Sequence, residues 1–86
     1  MAILHVFEKI QDVCPLEGGK CGISLEGGKD FVLTGDWEQK LQEGDKVLID
    51  LDEWSATEKA TAYVFRENAL VETIHLDASC EFNSLY

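Results

Sequence analysis

Eighty-six residues, 45% of them hydrophobic and 28% charged, suffice for one small folded domain and do not have a disordered composition. Seventeen acids against seven bases give a net charge of -10, which repels phosphate backbones and anionic lipid, so direct nucleic-acid binding and membrane attachment are not expected. The single proline, Pro15, excludes a proline-rich linker or recognition tail.

The chain opens on a strand-forming stretch, 2–13, with Ile3, Leu4, Val6, Phe7, Ile10 and Val13. Its parity is mixed. Leu4, Val6 and Ile10 share one face with Glu8, while Ile3, His5 and Phe7 share the other. Apolar groups on both faces describe a strand covered on both sides or paired at an oligomer interface. The stretch lacks a basic start and meets Glu8 at once, so it does not read as a secretion signal. No apolar run approaches the ~20 residues of a membrane span.

The five residues Leu-Glu-Gly-Gly-Lys then occur twice, from Leu16 and from Leu25. Each copy precedes a short strand-like run, 21–25 and 30–34. Gly-Gly supplies the positive φ values of tight hairpin turns, so the repeat predicts two turns of similar geometry in a meander. A phosphate loop needs G-x-x-x-x-G-K-[ST], and neither copy has it: Cys21 and Asp30 stand where the hydroxyl would be.

Asp36, with Gln39 three residues on, predicts a capped helix of about two turns over 36–43, with Trp37 and Leu41 on its inner side. Gly44 suits its left-handed end. A strand follows over 46–52, where Val47, Ile49 and Leu51 alternate with Leu48, Asp50 and Asp52. Residues 53–59 read as a loop. Residues 60–66 and 70–76 read as a hairpin joined by Glu67-Asn68-Ala69. A competing helix over 56–66 has a capping box in Ser55-Ala56-Thr57-Glu58, but the block Tyr63-Val64-Phe65 favours a strand. Residues 77–86 read as a flexible acidic tail.

The whole, 1–86, predicts a single, mainly β domain: a small antiparallel barrel or bent sheet of five to six short strands with one short helix at about 36–43. An odd set of cysteines, Cys14, Cys21 and Cys80, fits a reducing, cytoplasmic setting better than a secreted disulfide framework.

Chemistry is sparsely signalled, and the reading is non-enzymatic, with no catalytic residue and no cofactor assigned. Seven acids crowd 36–53 against Lys40 and Lys46. Asp50, Asp52 and Glu53, bordered by Trp37 and Trp54, have the make-up of a surface for a protein partner, and the loop position of Trp54 predicts that it is exposed. The expected function is therefore a small acidic binding module. It would act on another protein, on itself as a homodimer, or as an inhibitor or immunity-type protein of a basic partner. The alternative is a zinc- or small-ligand-binding protein using Cys14, Cys21, His75 and Cys80, whose chemistry suits zinc but whose spacing does not.

Overall fold

The computed structural model describes residues 5–57 and 59–84. Seven strands and one helix run in the order β1 (His5–Leu16), β2 (Lys20–Leu25), β3 (Lys29–Thr34), β4 (Lys46–Asp50), α1 (Leu51–Thr57), β5 (Ala60–Arg66), β6 (Ala69–Leu76) and β7 (Glu81–Ser84). They form one sheet of order β6-β5-β4-β1-β2-β3-β7, every pair antiparallel. The sheet ends at β6 and β7, so it is bent and not closed into a barrel.

The bend lies in β1. Residues 5–9 pair with β4, and residues 10–16 pair with β2. Between the two, Ile10 faces Leu25 and Asp12 faces Ser24, which leaves Gln11 as the extra residue of a bulge. Such an insertion bends the strand and increases its local twist. The inward residues of both halves then meet in one cluster: Val6, Val47, Ile49, Val64 and Ile74 from one side, Ile23, Leu25, Phe31 and Leu33 from the other. Each fully buried aliphatic or aromatic side chain contributes about 1.5–3 kcal/mol, so these alternating strands carry the core.

One charged clasp closes the loop before β4. Asp45 is 2% exposed, yet its carboxylate accepts the N–H of Gln42 at 3.0 Å and a fork from Arg66, Nε at 2.9 Å and Nη2 at 2.9 Å. Those bonds hold the Arg66 guanidinium above its ordinary pKa. Arg66 Nη2 also reaches the carbonyl of Lys40 at 3.2 Å, tying 40–45 to β5.

Several sequence expectations change. The helix is not at 36–43: there the Trp37 carbonyl accepts from Lys40 N and Leu41 N, both at 3.0 Å, and the coil goes no further than one turn. A two-turn segment gains too little from its own hydrogen bonds to persist. Leu41 is nevertheless buried, and Gly44 has the expected positive φ of 90°. The helix is at 51–57 instead, where a strand end and a loop were expected. Asp50 is the cause, since its Oδ1 accepts the N–H of Asp52 and of Glu53, both at 3.1 Å. Residues 60–66 are a strand, as favoured. The segment 77–86, read as a tail, contributes β7, which pairs with β3 from Val32↔Glu81 to Lys29↔Ser84.

The two Leu-Glu-Gly-Gly-Lys copies are both turns but differ in shape. In the first, Gly18 and Gly19 both have positive φ, 80° and 72°. In the second only Gly28 does, at 85°, and the flank of Gly27 is filled by the Glu8 carboxylate. Glu8 accepts the N–H of Gly27 at 2.8 Å and pairs with Lys29 Nζ at 2.5 Å. The Gly-Gly-Lys arrangement thus does cradle an anion, and that anion is the chain's own side chain.

Candidate functional site

The strand parity that fills the core from β1, β4, β5 and β6 sends the alternate residues to the opposite, convex face. Cross-strand register sets them in rows. Phe7 stands opposite Leu48, Leu48 opposite Tyr63, and Tyr63 opposite Thr73. The next row runs Lys9, Lys46, Phe65 and Leu70. On the other side of the Phe7 row, His5 stands opposite Asp50 and Thr61 opposite His75. No element of the described structure covers this face. Phe7 is 55% exposed, Tyr63 40% and Leu70 52%. Exposed apolar residues set side by side, with polar groups around them, mark an interaction surface more often than scattered ones do.

The aromatic rings are arranged, not loose. Phe7 and Phe65 meet edge to face, with ring centroids 6.2 Å apart. Lys46 Nζ lies over the Phe7 ring, 5.5 Å from its centroid. On the opposite flank an open groove is lined by His5, Leu48, Asp50, Glu53, Thr61 and Tyr63. The face therefore has a cationic edge at Lys9 and Lys46, an apolar middle, and an anionic edge at Asp50 and Glu53. What it can do chemically is bind: bury apolar area in the middle and select charge at the two edges.

The sequence-predicted contact residues divide between this face and elsewhere. Asp50 ends β4, with one oxygen holding the start of α1. Asp52 and Glu53 are exposed in the first helical turn, and Glu53 lines the groove beside Asp50. Trp54, expected to be exposed, is 8% exposed and packs in the core with its ring centroid 6.3 Å from that of Phe82. The reason is the unexpected helix, which turns position 54 inward. Trp37 is half-buried against the core, donates from Nε1 to the Thr34 carbonyl at 3.2 Å, and carries Lys40 Nζ at 5.0 Å from its ring. It does not line the groove.

The four residues considered for zinc are not brought together. Among the described residues no group of three or more His, Cys, Asp or Glu is placed to hold a metal ion. Cys14 is exposed, Cys21 and Cys80 are buried, and His75 is exposed on β6 at the sheet edge. Burial raises the Cys21 thiol above its ordinary pKa, partly opposed by a backbone hydrogen bond from Trp37. Such a thiol is a poor nucleophile. Among the described residues no helix is long and apolar enough to cross a membrane.

Phe7, Leu48, Tyr63, Phe65 and Leu70 did not stand out as site residues. Their signal was the mixed parity of 2–13 and the block 63–65, which put apolar side chains on both faces. No protein family, no curated protein and no solved structure matches the chain.

Proposed function

We propose that this chain is a non-enzymatic protein-binding module whose contact surface is the convex face of β1, β4, β5 and β6. One observation carries the reading: Phe7, Tyr63 and Leu70 lie exposed on a face whose rows also hold half-buried Leu48 and Phe65, on strands whose other face already fills the core. Exposed aromatic area of this kind gains free energy when a partner covers it. The charged edges give that partner an orientation.

An aromatic β face also suits stacked nucleobases. Here it lies in a chain of net charge -10, with Lys9 and Lys46 as the cations of the rows and Asp50 and Glu53 beside them, so a phosphate backbone is repelled. The narrower reading, an inhibitor of a basic enzyme presenting Asp50, Asp52, Glu53 and Trp54, loses its aromatic anchor with the burial of Trp54. The three free thiols fit a reducing, cytoplasmic setting.

The test is site-specific photo-crosslinking in the host cell. A benzophenone side chain is placed at position 63 or 7, and at exposed controls 17 and 30. Positions 63 and 7 are expected to give discrete protein adducts that the controls lack. Equal yields at all four positions sink the proposal.

A further inference from the structure

We infer that the partner on this face is a second copy of the same chain, stacked face to face about a two-fold axis that lies in the interface and runs across the strands. The inference rests on the contact reading above and adds the identity and orientation of the occupant. Its basis is the charge order along the strands. Lys9 and Lys46 stand opposite each other in one row. Phe7, Leu48 and Tyr63 form the next. Asp50 follows, with Glu53 beside it in the groove. Along β4 the outward positions Lys46, Leu48 and Asp50 thus read cation, apolar, anion, with Glu26 beside the two lysines and His5 opposite Asp50.

A two-fold axis across the strands reverses that order in the second copy. Lys9 and Lys46 of one molecule then meet Asp50 and Glu53 of the other, twice over, and the apolar rows meet in the middle. This is the self-complementarity a two-fold interface demands. An axis parallel to the strands would instead set Lys9 over Leu70 and Lys46 over Phe65, so both lysines would face apolar side chains and no acid would stand opposite either. Neither Lys9 nor Lys46 makes an ion pair among the described residues. The arrangement brings the two sheets together with their strands antiparallel, within the aligned packing of sandwiches.

The size of the face bounds the strength. Four strands about 4.8 Å apart, each about five residues long at ~3.3 Å per residue, cover roughly 300 Å² in projection. Specific complexes commonly bury roughly 800 Å² of accessible surface per partner, so a face this small fits a weak, concentration-dependent dimer.

Sedimentation equilibrium of the purified protein, from about 5 µM to about 1 mM, reads the association directly. Wild type is expected to follow a monomer–dimer equilibrium. Lys9→Glu and Glu53→Lys, both at exposed positions, are each expected to weaken it by about tenfold or more, while retaining the wild-type circular dichroism spectrum. An equimolar mixture of the two variants is expected to recover heterodimer to within about threefold of the wild-type constant, because one edge pair is unchanged and in the other the reversed charges at 9 and 53 meet each other. A protein that stays monomeric at the top concentration overturns the inference. If position 63 still crosslinks to a different protein, the contact reading survives that result; if it crosslinks to nothing, both fall. A dimer indifferent to both substitutions also overturns the inference and points to pairing through the β6 edge.

Discussion

The turn between β5 and β6 offers a sharp test of the fold. Its two central residues, Glu67 and Asn68, have φ of 54° and 66°, the left-handed pair required by a two-residue hairpin loop of the primed type. Asparagine tolerates that conformation, but glutamate, with its Cβ close to the following carbonyl, loses roughly 1–2 kcal/mol there. Glycine at 67 removes the clash, while widening the unfolded ensemble at a cost of about 0.5–1 kcal/mol. The net expectation for Glu67→Gly is a gain of about 0.5–1 kcal/mol, and Glu67→Asn is expected to gain a similar amount. For a chain of this length such a gain raises Tm by about 3–6 °C. Thermal unfolding followed by circular dichroism measures it. Glu67→Ala is the control, since it removes the carboxylate but keeps the Cβ, and it is expected to leave Tm nearly unchanged. Equal melting temperatures for the glycine, asparagine and alanine variants would refute the left-handed turn.

Three further outcomes follow from the geometry. Arg66→Met leaves the buried Asp45 carboxylate without its fork and is expected to lower Tm clearly, with Arg66→Lys recovering part because an ammonium cannot make the bidentate contact. Native protein is expected to react quickly with a thiol reagent at one cysteine, Cys14, and at all three only after denaturation; three equally fast thiols would contradict the burial of Cys21 and Cys80. The Asp77 carboxylate accepts from the Ser79 hydroxyl and N–H, which holds its pKa below the ordinary carboxylate value. Its stabilising contribution is therefore complete above that ordinary value and is lost as pH falls through the lower folded one. Ser79→Ala is expected to move the Asp77 titration upward in NMR and to shrink the acid-side stability loss.

Legibility varied with how local the determining physics was. The hairpins of 20–34 and 60–76 were readable because glycine pairs and strand-forming blocks act within a few residues. The helix at 51–57 was missed because Leu51 and Asp52 continue the alternation of Val47 and Ile49. A competing signal was present: Asp50 followed three residues later by Glu53 is an N-cap with an acidic third position, and it won over the strand pattern. The expected helix at 36–43 had a cap as well, yet lacked length. β7 could not be read from 77–86 because its pairing partner, β3, lies some fifty residues away in sequence. The site followed the same rule. The acids of 50–53 were visible as a run, whereas the aromatic face is assembled by register among four strands. The two-sided parity of the first strand and the mixed faces of the hairpin over 60–76 hinted at it.

The position of β7 has a consequence for biosynthesis. The far edge of β3 stays open until residues 81–84 emerge, and ribosomes add about 5–20 residues per second, so that edge waits for about 2–10 s after Thr34 is made. During that interval the nascent chain carries an unsatisfied β-ribbon that a neighbouring polypeptide could extend. The four residues of β7 close that edge once they are made.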